Sequence, residues 1–454
     1  MASRADREPG KERALAANGV ERSRNRILIL GGGFAGVYTA RALQHELRGS
    51  DAKVAIVNRE NFQVFYPLLP EIISGAIDTE QVLNPIRRVA PQARLYVGDV
   101  TGIDLANQRV EIRHGLYQHR QTPRTLYYDH VVLALGGVPS VSRIPGLAEY
   151  AFDVQRLSNA FALRNHVIDT LEQAAIERDP AARERLLTYV VIGGGPTGVE
   201  IAAEINSLVD EAVQFYAGIE RSDLRVIIVE YAPRILGPMP ENLAAFAAQA
   251  LEERGIELLV NTGVERIERH LVVLNNGESI HAETVVGSVG VDINPLIRDL
   301  DAPHDERGRL VAHDTLRVGD YPNVWAVGDN ARVMDPTTGK PYPQTGQHAV
   351  RQAKRVAGNI AAAIKGEPLK PMNYKTRGKM VALGRRNAIA EVFGKHFSGF
   401  PAWFIWRSYY LTQMPLFDKR VRVVFSWTID LLAPPTLVQL KVGQPAPMAD
   451  VGDR

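Results

Sequence analysis

The 454-residue sequence predicts an α/β fold: two Rossmann-like units of parallel sheet and helix, followed by a C-terminal module of amphipathic helices. Three observations predict it. The order apolar strand, glycine-rich turn, helix occurs twice, at Gly31–Gly36 and again at Gly193–Gly198. A third apolar run, Asn323 to Val327, ends in Gly328-Asp329. After about Lys370 the pattern changes to aromatic and basic residues at helical spacing. The length also suits about three domain-sized units.

The first unit opens with Arg26-Ile27-Leu28-Ile29-Leu30, a run that suits a strand buried on both faces. Gly31-Gly32-Gly33-Phe34-Ala35-Gly36 follows, and then a helical pattern from Val37 to about Leu47. In a GxGxxG turn the first glycine makes the bend and the second admits a pyrophosphate. The third lets the helix pack on the strand, and the helix N-terminus faces the phosphates. The next strand, Lys53 to Val57, ends at Asn58, where an acidic residue commonly grips a ribose hydroxyl. Asn58 predicts weaker retention of the dinucleotide, which Asn58→Glu should improve.

The second unit repeats the order. Thr188 to Ile192 leads into Gly193-Gly194-Gly195-Pro196-Thr197-Gly198, and a helix from Val199 to about Phe215 follows. Pro196 suits a first helical turn, where its missing N–H costs nothing. The next strand, Leu224 to Val229, ends in Glu230. A carboxylate there accepts from a ribose 2′-hydroxyl and repels a 2′-phosphate, so NADH is favoured over NADPH despite Arg234 nearby.

Composition narrows the chemistry. Lysine plus arginine number 53 against 51 acidic residues, a net charge of +2, so no broad basic field invites nucleic acid. There is no cysteine. That excludes disulfides, thiolate zinc sites, iron–sulfur clusters, cysteine nucleophiles and dithiol relays. No metal site is expected. No stretch approaches the roughly 20 apolar residues of a membrane-spanning helix. Residues 1–24 carry interleaved charges and no apolar block, so they read as a disordered tail and not as a signal or transit peptide.

With these motifs the sequence resembles the two-dinucleotide-binding-domain flavoproteins. The resemblance implies FAD on the first unit and NADH on the second, which is inserted into the first. Leu133-Ala134-Leu135-Gly136-Gly137 and Gly287-Ser288-Val289-Gly290 are similar to the two crossover strands between the units. The division implied is 25–150 with 301–370 for FAD, 151–300 for NADH and 371–454 for membrane association. The resemblance assigns Gly31, Gly33, Phe34, Ala35, Gly36, Asn58, Val100, Gly136, Gly328, Asp329 and His348 to FAD. It assigns Gly193, Gly195, Pro196, Thr197, Gly198, Glu200, Glu230 and Gly290 to NADH.

Disulfide reductases and sulfide:quinone reductases of this superfamily need redox cysteines, so both are excluded. Three stretches resemble type II NADH dehydrogenases. One is Asn61 to Leu69, similar to their aromatic-Pro-Leu-Leu segment after the second strand, and a second is Gly194 to Glu200. The third, Pro343 to Ala349 and on to Arg351, is similar to the quinone-site pattern Ala-Gln-x-Ala-x-Gln; Gly346 and Arg351 depart from it, while Gln347 and Ala349 match. The resemblance implies Glu200 and Gln347 as catalytic residues, with Glu200 positioning the nicotinamide or relaying protons to quinone. Glu204, one turn on, is the weaker candidate. Quinone contacts are implied at Gln344, Gln347, Arg351, Arg377 and Lys379. Glu200 as a surface glutamate, and 374–386 as a solvated basic stretch, stand as alternatives.

At the C-terminus, Phe417, Val421, Val424, Phe425 and Leu432 share one helical face, with Lys419, Arg420 and Arg422 near its start. Trp403, Trp406 and Trp427 lie in the same stretch. These residues suit helices lying in a bilayer interface, and packing on the protein body is the alternative. The function expected is FAD-dependent transfer from NADH to a membrane quinone, at the cytoplasmic face of the plasma membrane. A second copy of the chain is a candidate partner. The rival readings are a ferredoxin- or rubredoxin-type reductase and an apoptosis-inducing-factor-like NADH-binding sensor.

Overall fold

The structure, a computed structural model, describes residues 25–115, 122–433 and 436–440. The tail expected over 1–24 lies outside the described residues.

The first sheet is parallel and has five strands, in the order Val324–Ala326, His130–Leu133, Arg26–Leu30, Lys53–Asn58, Arg94–Val97. Its central strand is covered on both faces, with Ile29 and Leu30 fully buried, which is why it reads as an unbroken apolar run. The second sheet follows the same plan: Phe152–Asp153, Thr284–Gly287, Thr188–Ile192, Arg225–Val229, Ile256–Leu259, again parallel. In each sheet a glycine turn leaves the carboxyl end of the central strand, where the strand order reverses. Open α/β sheets bind ligands at that place.

The chain passes between the units twice, side by side. Gly137–Pro139 pairs antiparallel with Val291–Ile293, Gly137 opposite Ile293. Every strand of the second sheet lies between these passages in sequence, and Val324–Ala326 then pairs with His130–Leu133 of the first sheet. The long helix Gly346–Lys365 packs along Phe34–Glu46, with Val356 and Ile360 buried against a face containing Val37, Ala40 and Leu43.

The segment after residue 374 is folded, and its basic side chains are exposed, as the solvated reading of 374–386 expects. Gly378–Ala382, Ala388–Val392 and Lys395–Ser398 form an antiparallel sheet, with Val381 opposite Ile389. The basic residues sit on its exposed positions. Val381, Ile389 and Ala390 enter the same core as Val199 and Ile205 of the Pro196–Ala212 helix. Two helices follow, Gly399–Gln413 and Phe417–Asp430. Among the described residues no helix is long and apolar enough to cross a membrane.

The tryptophans expected at a bilayer surface are instead buried: Trp403, Trp406 and Trp427 all join that core. The aliphatic and phenylalanine positions face outward. Phe417 is 77% exposed, Phe425 65% and Leu432 84%, with Val421 and Val424 also exposed. Both readings of this stretch therefore hold for different residues. The indoles pack on the body, and a separate apolar band is left open.

Candidate functional site

The two glycine turns are built alike. Gly31 and Gly193 have φ of +103° and +105°, and a Cβ on either would lie 2.2 Å from the Ala134 carbonyl oxygen or 2.4 Å from that of Ser288. Only glycine fits. A Cβ on Gly33 or Gly195 would meet nothing within 4 Å, so the space above each turn is open. The helices Phe34–Glu46 and Pro196–Ala212 begin there, and neither has a side-chain cap. First-turn N–H groups thus point into the open space, as an anion requires.

Each turn is closed by the side chain ending the second strand. Gly32 N donates to Asn58 Oδ1 at 2.8 Å, and Gly194 N donates to Glu230 Oε2 at 2.6 Å. Glu230 Oε1 accepts a second bond from Ala232 N at 2.7 Å. Asn58 Nδ2 instead donates to the Glu60 carbonyl at 2.9 Å. Its amide is used in both directions, so replacement by Glu would set a carboxylate against that carbonyl. This reverses the expectation that Asn58→Glu helps. Arg234, the group that could have drawn a 2′-phosphate, is bound by its own loop, with bonds to the Gly237 carbonyl at 2.9 Å and to that of Met239 at 3.2 Å.

Gly328-Asp329 returns to the first turn: a Cβ on Gly328 would lie 3.1 Å from Ala35 Cβ. Burial raises the pKa of Asp329. Such a carboxyl suits hydroxyl donors better than a phosphate. Beside it Asn330, fully buried, accepts from Gly136 N at 3.0 Å and donates to the Leu133 carbonyl at 2.8 Å. Asn330 was not expected. It pins the crossover to the late strand, and a polar residue beside Asp329 gave no separate signal. Open, uncapped glycine turns, with an acid closing one of them, fit two dinucleotides. Val100 lies on the hairpin strand Asp99–Asp104, and Gly290 begins the return crossover at φ +92°.

Glu200 is not a surface glutamate. Its Oε1 accepts from Ala382 N at 3.1 Å, so the C-terminal sheet closes over it. Burial, reinforced by Glu204 and Glu71, pushes its pKa up to about 8. Glu204 is also buried and raised. Glu71, 5% exposed, is raised by burial to about 7, opposed chiefly by Arg407, whose guanidinium lies 3.7 Å away. Trp427 Nε1 donates to Glu71 Oε2 at 2.6 Å. Glu71 gave no separate signal in the sequence, because its hydrogen-bond and ion-pair partners, Trp427 and Arg407, lie more than 300 residues away.

The structure gathers some of the expected quinone residues and separates others. Gln347 donates to the Gly378 carbonyl and accepts from Tyr374 Oη, both at 3.2 Å. The Arg351 guanidinium lies 5.2 Å above the Tyr374 ring, and Tyr409 is close enough to Tyr374, Arg351 and Arg377 to feel their charge. Lys379 is elsewhere: its Nζ donates to the Pro238 carbonyl at 2.7 Å. Gln344 turns back to the Asp329 carbonyl at 2.7 Å. His348 is also corrected. Its ring is buried, bonded to Thr345 and Thr376 hydroxyls at 2.7 and 3.1 Å, and burial lowers its pKa to about 4. Only its main chain, in the uncapped first turn of Gly346–Lys365, is free to face a ligand. Gln352, also unexpected, accepts from Gly328 N at 2.7 Å and ties that helix to the Gly-Asp turn.

Aromatic rings wall this region. Phe34 packs 5.7 Å from Phe65, and Phe65 lies 6.3 Å from Tyr410. Gly346 faces this wall, where a Cβ would come within 3.3 Å of Phe34.

Two glycine turns on two parallel sheets, joined by paired crossovers and a returning Gly-Asp strand, define a class of pyridine-nucleotide flavoprotein. Residues 25–353 match the pyridine nucleotide-disulphide oxidoreductase family. The chain is 32% identical, over 90% of its length and 89% of the relative, to the type II NADH:quinone oxidoreductase Ndh of Mycobacterium tuberculosis. It is 29% identical to the type II NADH:quinone oxidoreductase of Staphylococcus aureus, over 84% of this chain and 93% of that one. The fold superposes on NDH2 from Plasmodium falciparum, solved in complex with NADH, with a TM-score of 0.82 at 17% identity, covering 91% of this chain and all of that one. The chain belongs to the pyridine nucleotide-disulphide oxidoreductase family and, within it, to the type II NADH:quinone oxidoreductases.

Proposed function

We propose that this protein is an FAD-dependent NADH:quinone oxidoreductase that takes hydride from NADH and delivers two electrons to a membrane quinone without pumping protons. The observation that carries this reading is the place of Glu200: it lies on the helix that opens at the second glycine turn, its Oε1 accepts from Ala382 N of the C-terminal sheet, and burial there raises its pKa to about 8. FAD, when bound, supplies the two-electron carrier between a hydride donor and the acceptor. A chain with no cysteine has no thiol to interpose.

The residues divide the work. Residues 25–150 and 301–370 are assigned to FAD, with Gly31–Gly36 under the pyrophosphate and Asp329 on its hydroxyls. Residues 151–300 are assigned to NADH, with Gly193–Gly198 under the pyrophosphate and Glu230 on the ribose. Glu200 holds a proton that reduction of a quinone consumes. Gln347, Arg351 and Arg377 flank the acceptor, whereas Lys379 and Gln344 serve as structural ties.

Residues 371–454 are assigned to the membrane, through the outward band of Phe400, Phe404, Phe417, Phe425 and Leu432. Exposed phenylalanines on both C-terminal helices favour a membrane surface over a soluble ferredoxin-type partner. The protein would lie peripherally on the cytoplasmic face of the plasma membrane.

Anaerobic stopped-flow tests the reading. NADH should bleach the flavin, and ubiquinone or menaquinone should restore it rapidly while ferredoxin does not. A long-lived reduced complex that no quinone reoxidises would sink the proposal in favour of a sensor.

A further inference from the structure

One basic feature extends beyond this site and shares Arg351 with it. A trench runs between the outer face of the Gly346–Lys365 helix and the 367–374 segment. Arg351, Arg355, Gly358, Ala362 and Lys365 recur along that face at spacings of four, three, four and three, with Lys354 on its flank. Small residues floor its middle: a Cβ on Gly358 would meet nothing within 4 Å.

The opposite wall carries Lys370 and is held firmly in place. Lys370 N donates to Asn359 Oδ1 at 2.9 Å, and Asn359 Nδ2 donates to the Lys370 and Thr315 carbonyls at 2.9 and 2.8 Å. Among the described residues, Lys354, Arg355, Lys365 and Lys370 make no side-chain hydrogen bond or ion pair. Two acids, Glu46 and Glu367, line the trench against five cations. Concentrated, unpaired positive charge in a walled groove suits a phosphate group, which Arg grips as a fork and Lys as a point charge.

The location identifies the source of the phosphate. Arg351 at one end sits over Tyr374, and both lie beside Tyr409 of the Gly399–Gln413 helix. That helix also presents Phe400, 57% exposed, and Phe404, 61% exposed. One end of the trench thus lies near the helix that also carries part of the apolar surface assigned to the membrane. We propose that it is a headgroup site for an anionic phospholipid, which adds lipid selectivity to docking. The proposal rests on the membrane-docking reading above but not on the identity of the electron acceptor.

The test is partition of the flavin-loaded protein onto vesicles of phosphatidylcholine, with and without phosphatidylglycerol. Neutral vesicles report the apolar band, and the increment on adding phosphatidylglycerol reports the trench. Lys354→Ala/Lys365→Ala/Lys370→Ala should lose on the order of a hundredfold of that increment, from about fivefold per basic side chain. Gly358→Leu fills the floor at unchanged charge and should lose most of it as well. Both variants should keep NADH oxidation with a soluble quinone.

An increment that survives Gly358→Leu overturns the site, because diffuse charge then explains it. If inorganic phosphate at matched ionic strength displaces the protein from anionic vesicles and stabilises it without them, free phosphate is the ligand and the lipid assignment fails. Neutral binding with no anionic increment overturns the trench alone. No binding to any vesicle overturns the docking reading together with it.

Discussion

Asn58 and Glu230 hold equivalent places in the two units, and each accepts a hydrogen bond from the middle glycine of its turn, at 2.8 Å from Gly32 and 2.6 Å from Gly194. They differ in the second atom. Glu230 accepts again, from Ala232, whereas Asn58 donates, to the Glu60 carbonyl. The first unit thus needs an amide where the second needs a carboxylate. Asn58→Asp should place like partial charges together and destabilise the protein by about 1–3 kcal/mol. Chemical denaturation and the flavin dissociation rate check this. An unchanged midpoint together with slower flavin loss would restore the view that an acid is simply better there.

Glu230→Ala removes a carboxylate that both shapes the turn and faces the expected ribose. The KM for NADH should rise about tenfold or more, the worth of a hydrogen bond to a charged group. NADPH should remain a poor substrate in the native protein, because Arg234 is already bonded to its own loop. Steady-state kinetics with both nucleotides decide the matter. Efficient use of NADPH would show that Arg234 swings free.

Burial raises Glu200 to about 8, so the folded protein holds a proton that the unfolded chain releases near pH 4.5. Stability linked to this group is therefore greatest below pH 4.5 and falls as pH rises toward 8. Turnover that draws on the proton should fall above about pH 8. Glu200→Gln should lower kcat by on the order of a hundredfold, abolish that alkaline limb and leave the KM for NADH within about threefold. An alkaline limb that persists in the variant would assign it to another group.

Trp427→Phe keeps the aromatic volume but removes the donor to Glu71. The buried carboxyl then loses its strongest neutral partner, and its pKa should climb further above 7. A loss of about 1–3 kcal/mol is expected at pH 8, shrinking toward pH 5, where Glu71 is protonated with or without the indole. Thermal unfolding at the two pH values measures it. Equal losses at both would mean that packing, not the carboxyl, is responsible.

Phe417→Ser with Phe425→Ser should reduce binding to phosphatidylcholine vesicles about tenfold or more, with little change in Tm or in activity on a soluble quinone. Both side chains are mainly exposed, so little native packing is lost. Deletion of Phe400 to Leu432 would be a poorer test of the same surface. That deletion would also remove Trp403, Trp406 and Trp427 from the core and leave Glu71 buried without its donor. Unaltered vesicle binding would move the docking surface elsewhere.

The sequence by itself determined the features that are local. Gly31–Gly36 and Gly193–Gly198 declare their turns because a positive φ and a backbone contact admit nothing larger than hydrogen, and the flanking strands announce burial through unbroken apolar runs. The missing cysteines removed thiol chemistry with no structure needed. Helical spacing also identified the apolar face of residues 417–432, but periodicity states that a face exists and not which way it looks. Only the tertiary structure decided that the tryptophans turn inward while Phe417 and Phe425 turn out. It alone decided that Glu200 lies under Ala382, that His348 is spent on two threonines and that Lys379 reaches across to Pro238. The physical reason is range. A turn is fixed by sterics within a few residues. The protonation state of a carboxyl, or the freedom of a lysine, is fixed by whatever the fold brings within about 4 Å, and here those partners, Thr345 apart, lie from 28 to more than 300 residues away.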